Sequence, residues 1–229
     1  PVRFPRVQLT MSLKACLFDM DGVIVDSTRH HFAAWKQLAV ELSIPFEEKD
    51  NHALKGLSRV DSLEHLLALG NMPLDEKTKL KLMRKKNQLY LELIGNMRAV
   101  DVLPGATELI HALKGAGIKI GLGSSSKNAQ LLLEHLGLSN LFEAVVDGNH
   151  ITLSKPDPEV FVKGAQALGV LPAECMVFED AASGVKAAKA GGFFAVGLGN
   201  PVELEGADKV LPGLQDVQVA TLQGWMEGA

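Results

Sequence analysis

The sequence predicts an α/β protein, with a Rossmann-like parallel sheet core and a helical cap domain inserted after the first strand. Three observations carry this. From residue 103 onward, short apolar runs alternate with amphipathic stretches of helical length. Far upstream, residues 13–18 form one isolated apolar run, which has nothing to pair with except that same sheet. Between Asp26 and Val100 no period-2 run appears, only helical spacing.

Taken in order, residues 13–18 read as a short buried strand that Asp19-Met20-Asp21-Gly22 breaks. Residues 29–42 place Phe32, Trp35, Leu38, Ala39 and Leu42 on one helical face. Ser58 has the character of an N-cap, with Leu63, Leu66 and Leu67 on the apolar side of the helix it opens. Asp75 opens a third helix, rich in basic residues through Arg84-Lys85-Lys86 and ending near Gly95. After Leu103-Pro104-Gly105 the spacing predicts helices over 106–115, 128–136, 158–168 and 182–190. It predicts strands over 118–123, 144–147, 176–178 and 194–196. The expected organisation is an extension over residues 1–10, a core from 11–26 and 98–229, and a cap over 27–97.

Composition narrows the function classes. The 229 residues are 47% hydrophobic and 22% charged, which is ordinary for a soluble globular chain and excludes disorder. A net charge of −4 offers no broad footprint for nucleic acid or an anionic membrane. No apolar run approaches the roughly 18 residues that span a bilayer. Residues 1–10 carry two arginines but lead into no apolar segment, since Lys14, Asp19 and Asp21 interrupt. No secretory signal is expected, and Met11 is the expected start. Cys16 and Cys175 make neither a disulfide framework nor a metal spacing, so they are expected to be buried thiols in a reducing cytoplasm; separately, the chain is expected to be a monomer.

The chemistry sits where open α/β sheets bind ligands, at the carboxyl ends of strands. The first strand ends in Asp19 and Asp21, the second in Ser124-Ser125-Ser126-Lys127-Asn128. The third is followed by Ser154-Lys155-Pro156-Asp157-Pro158, and the fourth ends in Glu179-Asp180. Right-handed crossovers can bring all four to one cleft. Each piece alone has a structural explanation. Asp-x-Asp can be a turn, Lys155-Pro156 a rigid loop, and Ser124 to Asn128 or Glu179-Asp180 a helix cap. Four coincidences at four strand ends favour a site. Two carboxylates ~4 Å apart repel by on the order of 4 kcal/mol at an effective dielectric near 20. Asp19, Asp21, Glu179 and Asp180 therefore need a cation, and all-oxygen ligation suits Mg2+. Other chemistries are poorly served. Seven histidines show no His-Glu-x-x-His, and Gly121-Leu122-Gly123 and Gly197-Leu198-Gly199 do not continue into a dinucleotide fingerprint.

Phe18-Asp19-Met20-Asp21-Gly22-Val23-Ile24-Val25-Asp26-Ser27 resembles the first motif of the haloacid dehalogenase superfamily. Ser124, Lys155 and Glu179-Asp180 stand where its other three motifs fall. His30-His31-Phe32-Ala33-Ala34-Trp35, Leu54-Lys55-Gly56-Leu57-Ser58-Arg59, Arg84-Lys85-Lys86-Asn87 and Ser124-Ser125-Ser126-Lys127-Asn128 resemble segments of its β-phosphoglucomutase family. Ser27 departs from a common threonine and Ala181 from an occasional serine.

The resemblance implies a sugar-phosphate substrate, with Asp19 as nucleophile and Asp21 as general acid and base. It implies that Ser124 and Lys155 face the transferring phosphoryl group. Mg2+ would be held by Asp19, the Asp21 backbone carbonyl, Glu179 and Asp180. Substrate contacts fall to His31, Trp35, Lys55, Gly56, Ser58, Arg59, Lys86, Asn87, Ser126, Lys127 and Asn128. The implied reaction interconverts β-D-glucose 1-phosphate and glucose 6-phosphate through a bisphosphate. A sugar-phosphate phosphatase would use the same parts, and a catalytically silent relative has no chemical need for all of them. From its own position, Arg59 follows the N-cap residue Ser58, where amide donors and the helix dipole favour a phosphate. Trp35 and its apolar neighbours have the pattern of a cap core, and the basic run 79–86 that of a solvated face apart from Lys86. Hinges are expected near residues 27–31 and 97–103.

Overall fold

The computed structural model describes residues 12–228. The extension over 1–10 and the expected start at Met11 lie outside the described residues. The core is a six-stranded, wholly parallel sheet in the order β3-β2-β1-β4-β5-β6. Its strands are β1 (Ala15–Phe18), β2 (Lys119–Gly123), β3 (Ala144–Val146), β4 (Cys175–Glu179), β5 (Phe194–Leu198) and β6 (Lys209–Leu211). Residues on β1 alternate between two apolar layers. Cys16 and Phe18 join one core cluster, while Ala15 and Leu17 join the other. A strand buried on both faces reads as a continuous apolar run, which is why residues 13–18 carried so clear a signal. Register is direct: Phe18 lies beside Leu122 on one side and Phe178 on the other, and the two phenyl rings stack at 4.7 Å.

Four helices follow β1 before the chain returns: α1 (Thr28–Glu41), α2 (Glu48–His52), α3 (Arg59–Leu69) and α4 (Glu76–Ile94). They form the inserted cap, with its own core of Trp35, Leu38, Phe46, Leu63 and Leu66. Trp35 thus belongs to the cap core, as its periodicity implied. Both expected N-caps form. The Ser58 hydroxyl accepts from the Asp61 amide at 3.2 Å and the Asp75 carboxylate from the Thr78 amide at 3.0 Å. Each stabilises its helix by about 1 kcal/mol. The two chain crossings between cap and core run side by side. The Asp26 amide donates to the Asp101 carbonyl at 2.8 Å, the Leu103 amide to the Ile24 carbonyl at 2.9 Å, and Arg29 pairs with Asp101.

The core helices are α5 (Ala106–Gly115), α6 (Ala129–His135), α7 (Glu159–Leu168), α8 (Ala182–Ala190) and α9 (Val219–Glu227). Three elements escaped the sequence reading. Strand β6 is three residues long and exists by pairing with β5 at the sheet edge. Helix α2 is five residues long and is held by the Asp50 carboxylate accepting from the Glu47 amide at 2.8 Å. Helix α9 carries β-branched and glycine residues, but Leu222 and Met226 bury one face against the core. The Ser124 to Asn128 segment does put Asn128 at the N-cap position of α6, but its side chain makes no cap bond and donates instead to Asn87 Oδ1 at 2.9 Å. Among the described residues, no helix is long and apolar enough to cross a membrane.

Candidate active site

The strand order places β1 between β2 and β4, where the chain's winding reverses, so the loops leaving these strands diverge and leave a crevice. Asp19 leaves β1 directly into it, its amide donating to the Phe178 carbonyl at 3.0 Å. Lys155 comes from the loop after β3 and is fully buried. Its ammonium donates to Asp19 Oδ1 at 2.5 Å, to the Gly123 carbonyl at 3.1 Å and to the Glu179 carboxylate. Burial by itself would favour the neutral amine, but the Asp19 and Glu179 charges outweigh it and raise the Lys155 pKa, so the cation is retained. Ser124 is held at the end of β2 by its backbone amide, which donates a hydrogen bond to the Val146 carbonyl at 3.0 Å.

The negative charge is not balanced by that one lysine. Asp19, Glu179 and Asp180 each present a carboxylate oxygen within 4.8 Å of the others. Burial, then the charge of Asp19, pushes the Asp180 carboxyl up to about 7, against a smaller opposite pull from Lys55. Gly22 makes the close approach possible. It turns with φ +83°, and a Cβ there would lie 2.3 Å from Asp180 Oδ2. Lys55 lies 3.6 Å from Asp180, yet the carboxylates still outnumber the cations around them; such a surplus of carboxylate oxygens is the donor set of a hard cation, so these residues could hold a metal ion. Glu179 is already committed to Lys155 and to the Ala181 amide at 3.1 Å, which leaves Asp19 and Asp180 the freer ligands.

Asp21 sits two residues past Asp19 but faces the cap. Burial favours its neutral form, yet His31, the Ser27 hydroxyl and Lys86 together lower its pKa to about 2, so it stands ionised. His31 Nε2 lies 3.5 Å from its carboxylate. Behind His31, Nδ1 meets Lys86 Nζ at 2.8 Å, and burial followed by Arg59 lowers the Lys86 pKa to about 7. Lys86 also packs over the Trp35 and Tyr90 rings at 4.8 and 4.9 Å. Lys86 therefore departs from the solvated face of its helix, on which Lys79 pairs with Glu64 and Lys85 with Glu41; Arg84, expected on that solvated face, lines the cavity instead.

A cavity of about 420 Å³ lies between cap and core, a size that suits a small phosphorylated ligand. Asp19, Asp21, Ser124 and Asp180 form its floor, and Ser126 and Lys127 one wall. From the cap come His31, Trp35, Lys55, Gly56, Ser58, Arg59 and Lys86. Four expected residues do not line it. Lys155 and Glu179 are buried behind the Asp19 carboxylate. Asn87 and Asn128 stand behind Arg59, whose guanidinium donates to Asn87 Oδ1 at 2.6 Å. Asn87 holds the arginine and Asn128 holds Asn87, and neither lines the cavity. The sequence reading missed Ile151, Thr152 and Ser154, which complete the core wall, and Leu54 and Leu57 on the cap side. Ser154 directly precedes the lysine motif, so that loop was legible even though its individual lining residues were not.

Known proteins resemble this chain along most of its length. The chain is 42% identical over 212 residues to the β-phosphoglucomutase of Bacillus subtilis (strain 168), covering 92% of this chain and 94% of that protein. It is 34% identical to the fructose-1-phosphate phosphatase YqaB of Escherichia coli (strain K12), covering 79% and 93%. The crystal structure of a β-phosphoglucomutase from Clostridium difficile superposes with a TM-score of 0.91 at 37% identity, covering 94% of this chain and 98% of that one. Residues 13–192 match the haloacid dehalogenase-like hydrolases as a family. That match takes in every strand-end motif and the whole helical insertion, and the chain belongs to the haloacid dehalogenase-like hydrolase family.

Proposed function

We propose that the chain is an Mg2+-dependent phosphotransferase that interconverts β-D-glucose 1-phosphate and glucose 6-phosphate through an aspartyl-phosphate enzyme and an enclosed glucose 1,6-bisphosphate. The observation that carries this reading is one cavity with two poles for phosphate, Asp19 on the core side with the Lys155 charge buried behind it and Arg59 on the cap side. An intermediate with two phosphates needs both poles; a single phosphate ester needs one. The likeness to the Bacillus subtilis enzyme supports the same reading.

In the phosphorylated enzyme, Asp21 accepts the proton of a sugar hydroxyl, whose oxygen attacks phosphorus while the bond to Asp19 breaks. After the bisphosphate turns over, Asp19 attacks the other phosphate and Asp21 returns its proton to the leaving sugar oxygen. Asp21 is suited to begin this cycle because it stands ionised against His31 and Ser27. Asp19 needs no deprotonation to act once it is a carboxylate, and Lys155 balances charge at the phosphoryl group. Mg2+, held by Asp19, Asp180, the Asp21 carbonyl and Glu179, would supply charge neutralisation at the transferring phosphoryl oxygens. Excess chelator is expected to lower turnover by at least ~100-fold while moving the melting temperature by only a few degrees, because the sheet forms without the ion. Full turnover in chelator would remove the metal from the reading.

The direct test supplies purified protein and Mg2+ with β-glucose 1-phosphate and a trace of bisphosphate. Glucose 6-phosphate is the expected product; accumulation of free phosphate would favour the phosphatase reading that the Escherichia coli relative represents. Arg59 sharpens the test. Arg59→Ala is expected to lower mutase kcat/KM by about 100-fold, the scale of a lost charged bidentate contact. Labelling of Asp19 by acetyl phosphate, which has no distal phosphate, should fall far less. Equal loss of both would assign Arg59 to cap packing through Asn87.

A further inference from the structure

Two serines outside the expected site bridge cap and core. Ser125, in the loop after β2, donates through Oγ to the Gly56 carbonyl at 2.9 Å. Ser183, in the first turn of α8 after β4, donates through Oγ to the Lys55 carbonyl at 3.0 Å. The two acceptors are consecutive peptide groups of the cap loop between α2 and α3. The two donors come from the loops on either side of β1, and hence from either side of Asp19. Lys55 adds an ammonium 3.6 Å from Asp180 Oδ2.

Gly56 sets the geometry. Its φ of +72° turns adjacent carbonyls toward different core loops, and a Cβ there would lie 2.4 Å from Ser183 Oγ and 3.2 Å from the Ala181 Cβ. A residue with a side chain would hold the loop off the core. Both serines are half-buried, Ser125 at the edge of the cavity, and the hydrogen-bond partner of each side chain is a cap carbonyl.

We infer that Ser125 and Ser183 are a two-point latch that holds the Lys55–Gly56 peptide over Asp19 and so sets whether the aspartyl phosphate passes to sugar or to water. The inference rests on the mutase reading, because only an enzyme that must keep its phosphoryl group from water gains from a closed cap during transfer. The latch suits repeated opening. Two neutral hydroxyl-to-carbonyl bonds are each worth a factor of several in the closure equilibrium, enough to bias it and too little to lock it. Ser125 and Ser183 are positioning residues, acting through the loop they hold.

The test uses Ser125→Ala, Ser183→Ala and the double variant of the full chain. Two readouts are followed: amide hydrogen exchange at residues 54–57, and the ratio of free phosphate to glucose 6-phosphate formed from β-glucose 1-phosphate with trace bisphosphate. Each single change is expected to speed exchange in that loop by ~5-fold and the double change by ~10-fold or more. The ratio should shift toward free phosphate in the same order. A lesion that merely damaged folding would lower both products together. Unchanged exchange in the double variant overturns the latch, and faster exchange with an unchanged ratio overturns its role in partition. If the unaltered protein forms no glucose 6-phosphate, the mutase reading fails, while the exchange data still decide whether the serines hold the loop.

Discussion

Asp19→Asn is expected to abolish turnover, lowering kcat by at least ~10^4-fold and leaving no acid-labile phospho-enzyme after exposure to acetyl phosphate. An amide of the same shape has no charge with which to attack phosphorus, and its nitrogen is a poor leaving group for the return step. The variant should remain folded. Lys155 keeps its bonds to Glu179 and to the Gly123 carbonyl, so one buried cation then faces one buried carboxylate in place of two. Its melting temperature is expected to stay within about 5 °C of the parent, the scale of a ΔΔG near 1 kcal/mol. Phosphorylation at the parent's rate in this variant would show that the nucleophile lies elsewhere, with Asp21 the next carboxylate to examine.

Lys155→Met is expected to be the most damaging single change to both stability and activity. Lys155 is the buried cation between Asp19 and Glu179, and methionine leaves those carboxylates out of water without that counter-charge. Breaking a buried ion pair on one side costs about 3–5 kcal/mol, which for a chain of this length lowers the melting temperature by roughly 10 °C. Turnover should fall by ~10^3-fold, since the charge beside the transferring phosphoryl group is lost with the positioning of Asp19. The combination Lys155→Met with Glu179→Gln separates the two effects. Neutralising Glu179 is expected to recover part of the stability and none of the activity. A single variant that melts with the parent would mean that water reaches these carboxylates in the folded protein.

How the site was legible follows from where its signals lie in the chain. Asp19 and Asp21, Ser124, Lys155 and the Glu179-Asp180 pair each end a short apolar run, so the α/β alternation that predicts the strands also points to their carboxyl ends. Ser58 and Asp75 were readable as helix starts because a cap bonds three residues ahead, within the same local stretch. Partnerships across the fold carried no such mark. His31 and Lys86 lie 55 positions apart and Ser183 and Lys55 lie 128 apart. Asn87 and Asn128 were picked out, yet their sequence gave no hint that they would clasp each other behind Arg59.

By itself, then, the sequence determined the strand and helix alternation, the place of the helical insertion and the acidic strand ends, because periodicity and capping are local and their energies are realised within a few residues. Tertiary structure decided the rest. Strand β6 and helix α2 are too short to persist alone and form only against neighbours. Lys86, expected to be the exception on its basic helix, became a buried amine over Trp35 and Tyr90, and Glu179, expected at the metal, became the partner of Lys155. Ser125 and Ser183, neither an expected substrate contact, became hydrogen-bond donors from core to cap. These outcomes depend on distances between residues far apart in the chain, and such distances are set when the sheet and cap pack together, not by any repeat along the sequence.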